Sequence, residues 1–266
     1  METPKVPVTV SVLTKNSGKT LERALQSVSL CAEIIVCDGG STDDTLDIAR
    51  RYGARILEQS VEFKDPMGKL VDFSGVRNAC LTAATYPWHA YVDSDEYFSQ
   101  SLVTEIAVIA AKNIPGAYWV PRHYVWEGKE IMCSPSYPSQ QIRFFHTDAV
   151  TAFRKPIHER IMVKDGTKAG VLSSCLLVPV VDSLQESRTK TNRYIALEIS
   201  RQKPITIRKV YREWRTALRT LVRFLWRSLA TTSCVGTRLP FAREWEGVRY
   251  QCMLARASLQ ALFARP

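Results

Sequence analysis

Four short runs rich in β-branched and aromatic residues alternate with three segments of helical period in the first hundred residues, and that alternation leaves few folds open. The runs are Val8 to Thr14, Ile34 to Asp38, the weaker Ala54 to Leu57, and Trp88 to Val92. Between them, Thr20 to Val28, Asp43 to Tyr52 and Phe73 to Ala84 place apolar residues at helical spacing. Strands alternating with helices build a parallel sheet covered on both faces, and such sheets hold ligands beyond the carboxyl ends of their strands. Asn16, Asp38 and Asp93 all fall at those ends. From residue 117 to residue 182 the signals turn to strands with turn chemistry, including Glu127-Gly128 between Tyr124-Val125-Trp126 and Ile131-Met132. From Ser187 the pattern is helical, with breaks at Pro204 and around Gly236 to Pro240. The expected fold class is α/β: a Rossmann-like mixed sheet with helices on both faces over residues 1–186, then a basic helical region over residues 187–266.

With 266 residues the chain is long enough for one large domain or a domain with an appendage. A hydrophobic content of 45% with 23% charged residues excludes a disordered chain. No window approaches 18 uncharged apolar residues, so no spanning helix is expected, and the Pro7-interrupted run from Val6 to Leu13 does not read as a signal peptide. The seven cysteines are odd in number and form no Cys-x-x-Cys pair, which favours reduced thiols in a cytosol over disulfides or a zinc site. The net charge of +10 is uneven. Residues 1–186 carry 19 basic and 22 acidic side chains, a net −3, and residues 187–266 carry 17 and 4, a net +13.

Gly18-Lys19-Thr20 invites a phosphate-loop reading, which fails because Leu13 stands where the first glycine of Gly-x-x-x-x-Gly-Lys-Thr is required. The second strand ends in Asp38-Gly39-Gly40-Ser41-Thr42-Asp43. Its glycines allow a sharp turn or a close approach to a ligand, and Ser41 or Thr42 is placed to cap the next helix. The fourth strand closes in Asp93-Ser94-Asp95-Glu96. Residues two apart at a strand end point the same way, so Asp93 and Asp95 can face one cleft as oxygen ligands of Mg²⁺ or Mn²⁺, which need only one or two carboxylates when phosphates fill other positions. A solvated turn with a helix cap accounts for the same four residues, and the residues alone leave both readings open.

Thr14-Lys15-Asn16, the Asp38 to Asp43 segment, Arg77-Asn78 and Asp93-Ser94-Asp95-Glu96, in that order, resemble the family 2 glycosyltransferases of the GT-A fold. Gln141-Ile142-Arg143-Phe144-Phe145 and Ile157-His158-Glu159 resemble the branch containing bacterial lipopolysaccharide core glucosyltransferases. The resemblance covers residues 6–160; within it Glu96 is common in this branch, while Gly39-Gly40 is an unusually flexible turn. It implies inverting transfer of a sugar from a nucleotide-sugar donor, UDP-hexose first, to a membrane-associated glycolipid or saccharide such as lipopolysaccharide core. It also implies donor contacts from Thr14, Asn16, Asp38, Arg77, Asp93, Ser94, Gln141 and Arg143, and a divalent metal at Asp93 and Asp95 bridging the diphosphate. Arg77 reads equally as a surface arginine, and Arg143 as a salt bridge supporting the cleft.

Inversion needs a base for the acceptor hydroxyl's proton as the oxocarbenium-like centre forms. The family's later acidic motif points to Glu159, with Asp148, Glu127 and Glu130 as rivals. His158 beside it orients Glu159, ligates the metal or packs in the core.

Arg212, Arg215, Arg219, Arg223 and Arg227 recur every three or four residues, with Trp214, Leu218, Leu221, Val222, Leu225 and Leu229 on the opposite face. A basic amphipathic helix carrying Trp214 and Trp226 suits an anionic membrane surface; a helix packed on the catalytic domain with a solvated arginine face is the competing account. No nucleic-acid module is recognisable and no nucleic-acid partner is expected. The expected place is the cytoplasm, peripherally on the inner membrane. The alternatives are a sugar nucleotidyltransferase, which would need a glycine-rich basic loop after the first strand, and a non-catalytic nucleotide-sugar or membrane-binding module.

Overall fold

The computed structural model describes residues 5–180, 183–201 and 205–263; Pro204, expected to break a helix, lies outside the described residues. Contacts divide the chain into two units, Met1–His123 with Ser139–Pro179, and Tyr124–Pro138 with Val180–Pro266.

In the first unit the expected alternation appears as β1 (Val6–Thr14), α1 (Gly18–Ser27), β2 (Cys31–Asp38), α2 (Thr45–Arg51), β3 (Arg55–Glu58), α3 (Phe73–Ala83) and β4 (Trp88–Asp93). Then come β5 (Tyr97–Phe98), α4 (Gln100–Lys112) and β6 (Ala117–Trp126), whose last residues belong to the second unit with the short β7 (Lys129–Glu130). The first unit resumes with β8 (Gln140–His146), β9 (Val150–Arg154), β10 (Arg160–Val163), β11 (Ala169–Val171) and β12 (Leu176–Pro179). The sheet runs in the order β3-β2-β1-β4-β8-β6-β12-β5, parallel from β3 to β4 and antiparallel where β8 joins β4 and β6.

The period of two along each strand divides the labour between faces. Val8, Val10 and Val12, Ile34 and Val36, and Trp88, Ala90 and Val92 pack with Leu21 and Leu25 of α1, Ile48 of α2, and Leu102 and Ile106 of α4. The alternate residues turn the other way: Ile35 and Cys37 meet Val76 and Cys80 of α3, and Tyr91 meets Phe145, Phe153 and Ile161. This second face also receives the polar residues of β4 and β8. Register then levels the strand ends, because Thr14 pairs with Asp38 and Leu13 with Asp93.

Among the described residues, the second unit holds the β6–β7 hairpin and four helices, α5 (Leu184–Arg201), α6 (Ile207–Ala230), α7 (Phe241–Glu244) and α8 (Glu246–Phe263). Glu127 and Gly128 take φ of 48° and 74°, the two left-handed residues that match a two-residue hairpin to strand twist. α8 packs on both α5 and α6, and Phe224 of α6 meets Trp245 edge-on at 5.4 Å. No described helix is long and apolar enough to cross a membrane.

Two expectations are corrected here. The chain is not all thiol: Cys133 and Cys234 form a disulfide, with Cα atoms 6.1 Å apart and the two positions 101 apart in sequence, while Cys31, Cys37, Cys80, Cys175 and Cys252 form no disulfide. Such a pairing comes from tertiary proximity, which spacing does not announce, and it removes the cysteine argument for a reducing compartment. The two stripes of α6 are also three faces. The packed one consists of Val210, Ala217 and Phe224, and most of the apolar stripe stands exposed beside the arginines.

Candidate active site

The loops after β1 and β2 are tied into one floor by short side chains. Asp38 is buried, and its Oδ1 accepts from Thr14 Oγ1 (2.9 Å) and Ser41 Oγ, while its Oδ2 accepts the Gly40 and Ser41 N–H groups at 2.9 and 2.7 Å. Burial opposes ionisation of this carboxyl, but the bonds from Ser41, Thr14 and Gly40 outweigh it and hold Asp38 below the usual carboxylate range. Asn16, with φ of 51°, accepts the Thr42 N–H at Oδ1 (2.8 Å) and donates its own N–H to Ser41 Oγ (2.8 Å). Ser41 and Thr42 therefore serve the floor and do not cap α2, whose N-cap is Asp44. Gln59 is buried beneath and donates to the Thr14 and Cys37 carbonyls. Gly39 is needed there, because a Cβ would lie 2.9 Å from Gln59 Oε1.

The acidic motif joins this floor through Ser94, whose Oγ accepts from Ser17 Oγ at 3.0 Å. The Glu96 N–H closes the turn onto the Asp93 carbonyl at 2.9 Å. From this turn runs a row of alternating charges: Glu159, Arg77, Asp93, Arg143, Glu96, Arg122. Glu159 Oε1 lies 3.2 Å from Arg77 Nε; Arg77 Nη2 pairs with Asp93 Oδ1; Asp93 Oδ2 and Glu96 Oε2 are each 3.1 Å from Arg143 Nη2; and Glu96 Oε1 is 2.6 Å from Arg122 Nη2. The Arg77 and Arg143 side chains are only 3% and 4% exposed, whereas Asp93 is 38% exposed. Both guanidinium groups lie over the Tyr91 ring, each 4.4 Å from its centroid. Burial works against ionisation of Asp93, but Arg143 and Arg77 prevail and hold its carboxyl well below the usual carboxylate range. Burial likewise opposes the charge on Arg143, and Glu96 and Asp93 outweigh it, pushing its pKa up. Arg77 Nη1 and Arg143 Nη1 are buried donors with no hydrogen-bond partner among the described residues.

Helix α3 explains why these groups meet. Asp72 caps it, accepting the Gly75 N–H at 3.0 Å, and a Cβ on Gly75 would lie 2.3 Å from the Phe63 ring. Two residues on, Arg77 enters the charged row. Asn78 then grips the backbone of Phe153 in β9, donating to its carbonyl (3.1 Å) and accepting its N–H (2.7 Å). This fixes β9, and the Lys155–His158 loop that follows leads directly to Glu159. Pro156 O in that loop accepts the Phe73 N–H at the start of α3 (2.9 Å). Lys155 and His158 hold left-handed φ values of 72° and 56°, and His158 is exposed, so it does not pack in the core. Gln141 Oε1 accepts from Arg143 Nε at 3.0 Å and sets that guanidinium's orientation.

Arg77, Asp93, Arg143, Gln141 and Glu159 are thus brought together, with Thr14, Asn16, Asp38 and Ser94 alongside at the same strand ends. Asp95 is half-buried in the turn between Asp93 and Glu96. Asp148 follows His146, the residue paired with Trp88, and so lies at the far end of β4 from Asp93. Glu127 and Glu130 belong to the hairpin of the second unit. Sequence reasoning missed Gln59, Tyr91 and Arg122. Tyr91 was within reach, since it stands two residues before Asp93 and shares its strand face. Arg122 had no local signal.

The family model for Glycosyl transferase family 2 matches residues 9–168. An uncharacterized glycosyltransferase of Rickettsia typhi is 32% identical over 112 residues, 42% of this chain and 35% of that protein. The lipopolysaccharide core biosynthesis glycosyltransferase LpsC of Rhizobium meliloti is 25% identical over 99 residues, 37% of this chain and 35% of LpsC. The chain thus spans about a third of the length of these relatives. Among solved structures, the mannosyltransferase PcManGT from Pyrobaculum calidifontis, in complex with GDP-Man and Mn²⁺, aligns over 99% of this chain and 89% of that one with a TM-score of 0.55 at 15% identity. That likeness is one of fold, the expected GT-A arrangement.

Proposed function

The chain belongs to glycosyl transferase family 2, and from that premise we propose that it moves a sugar, with inversion, from a nucleotide-sugar donor to a saccharide or glycolipid acceptor. The observation that carries this is the charged row anchored at the end of β4 beside the Asp38 floor. Its two unpaired buried guanidinium donors are what phosphate oxygens would complete. In this reading the nucleoside rests on Thr14, Asn16 and the Gly39-Gly40 backbone. Asp38 acts by holding that turn, since its acceptor sites are already filled. UDP-hexose is the first donor to try, and the likeness to LpsC supports a lipopolysaccharide core acceptor.

Asp93 and Asp95 are the hard oxygen donors that would hold Mg²⁺ or Mn²⁺. Both Asp93 oxygens face arginines, so Asp93 would share its charge between them and the ion, with Asp95 as the second carboxylate. Held there by Asp93 and Asp95, such an ion would supply positive charge against the leaving diphosphate. The protein's own groups do the rest. Arg77 and Arg143 hold the diphosphate end and exclude water from it. As the acceptor oxygen bonds to the anomeric carbon and the bond to the diphosphate breaks, the hydroxyl proton passes to Glu159, steadied at Oε1 by Arg77 Nε. A position on the cytoplasmic side of the inner membrane completes the reading, since a charged nucleotide sugar does not cross a bilayer unaided.

The test is a thermal-shift screen of sugar nucleotides with Mn²⁺, followed by a transfer assay. One donor should stabilise the protein, and Glu159→Gln should lower transfer at least about 10²-fold while leaving donor stabilisation nearly unchanged. Loss of donor binding with a wild-type rate at saturation would make Glu159 a ligand contact. Silence of the wild type towards every donor would end the proposal.

A further inference from the structure

Helix α6 presents an apolar ridge that nothing among the described residues covers. At 100° per residue, Ile207, Tyr211, Trp214, Leu218, Val222, Leu225 and Leu229 fall within an arc of roughly 80°. All seven are exposed, Leu218 by 62% and Leu225 by 56%. The ridge is not the packed side of the helix, because Val210, Ala217 and Phe224 are the buried residues and lie roughly 100° away around the axis. On the ridge's other flank, Arg208, Arg212, Arg215, Arg219 and Arg223 occupy a second exposed arc of roughly 80°. Trp226, 70% exposed, stands within the arginine arc, in line with Arg208.

An apolar ridge of this length on a monomer marks a partner, and the chemistry beside it says which. The helix is 24 residues long, about 36 Å, with an apolar row from Ile207 to Leu229 and an arginine row from Arg208 to Arg223. A protein partner of matching shape would need a complementary acidic row along the whole helix. The first unit carries 18 basic and 18 acidic side chains, no net charge, and pairs Asp93, Glu96 and Glu159 with its own arginines. An anionic lipid surface needs no such match: acyl chains accept the ridge, phosphate headgroups meet guanidinium groups roughly one helix radius higher, and tryptophan favours the boundary between them.

We propose that α6 lies in the plane of an anionic bilayer with Leu218, Val222 and Leu225 in the acyl region and Arg215, Arg219 and Arg223 at headgroup level. The arginines alone do not hold the protein there; the ridge inserts and the arginines select the charge of the surface. This rests on α6 and not on the catalytic reading, so either can fail without the other.

The experiment is co-sedimentation of the full chain with vesicles of phosphatidylglycerol and phosphatidylcholine in equal parts, and with phosphatidylcholine alone, read together with fluorescence quenching by brominated acyl chains. Wild type should bind the anionic vesicles and be quenched. Leu218→Ser/Val222→Ser/Leu225→Ser should lose at least about a hundredfold in partitioning, and lose the quenching, at low and high salt alike. Arg215→Gln/Arg219→Gln/Arg223→Gln should lose about a hundredfold at low salt and far less at high salt, where headgroup attraction is screened. Each variant is first required to melt at the wild-type temperature, which the exposure of all six residues leads us to expect; Leu218→Gln alone replaces any that does not. Equal binding by wild type and ridge variant overturns the proposal. So does a wild-type dimer that ignores vesicles and that the ridge substitutions dissociate, which would make a second copy of this chain the occupant.

Discussion

Arg77 and Arg143 in the first unit and Arg215, Arg219 and Arg223 in the second carry the same side chain, yet the first pair is buried between carboxylates and over a tyrosine ring, and the second set stands in solvent on α6. The difference teaches how position converts one chemistry into two. A buried guanidinium must be paired where it stands, because its desolvation is large and only nearby carboxylates offset it. Such a group is fixed in orientation and suited to hold a defined ligand. An exposed guanidinium is hydrated, mobile and screened, and serves a surface more readily than a point.

The sharpest way to break this comparison is at the acidic turn itself. Asp95→Ala should reduce transfer by at least about a thousandfold, the scale on which a metal stabilises a leaving diphosphate. Asp93→Ala should lose as much activity and also unfold more easily, because Arg77 and Arg143 then face each other without the carboxylate between them. Chelation by EDTA should reproduce the first variant and not the second. Wild-type stability of Asp93→Ala would show that the charged row is not structural at Asp93.

Next in size is Arg143→Leu, which strands Glu96 in a buried site with Arg122 alone. A loss of about 3–5 kcal/mol in denaturant unfolding is expected, with partial recovery in Arg143→Leu/Glu96→Leu. If the single variant unfolds like a surface substitution, buried and exposed arginines are not the different classes drawn above.

A smaller effect comes from His89, wholly buried on the same strand face as Tyr91 and Asp93, with Nε2 3.0 Å from Ser11 Oγ. Burial, with help from nearby Arg77, pushes its pKa down to about 3. The unfolded chain therefore binds this proton more readily than the folded one, near its ordinary value of 6.5. Stability is fully present above that value and falls as pH drops from 6.5 towards 3, by about 1 kcal/mol per pH unit. Denaturant unfolding of wild type and His89→Gln between these limits tests it; the slope should flatten in the variant at the upper end, where the depressed carboxylates do not yet titrate.

The smallest effect belongs to the α6 arginines. Arg215→Gln/Arg219→Gln/Arg223→Gln should change unfolding free energy by no more than about 0.5 kcal/mol and leave transfer to a water-soluble acceptor intact. A large loss in either would mean these side chains have partners within the fold.

The candidate site was legible in the sequence wherever a strand end wrote it locally. Asp38 and Asp93 follow apolar runs, and parallel register brings such ends level, so their neighbourhood was predictable. Gln141 and Arg143 were found as a motif, and their i, i+2 spacing is why one orients the other. The pairing of Arg77 with both Asp93 and Glu159 was not legible, because it joins residues 16 and 82 positions apart in sequence. Arg122 and the Cys133–Cys234 bond were silent for the same reason. On α6, periodicity revealed the stripes but not which of them packs. That choice depends on where α8 lies, and a helical wheel contains no partner.

Alternating strand and helix periods thus determined, without any structure, the sheet, the faces of its strands and the edge at which polar residues gather, because periods of 2 and 3.6 residues assign each side chain to a side. Only the tertiary structure decided that the arginines of α3 and β8 converge on one tyrosine ring and one carboxylate, and that the apolar ridge of α6 stays uncovered among the described residues. The physical reason is range. Local sequence encodes direction from backbone geometry, whereas pairing and burial depend on which distant segments the packed core brings within a few ångströms.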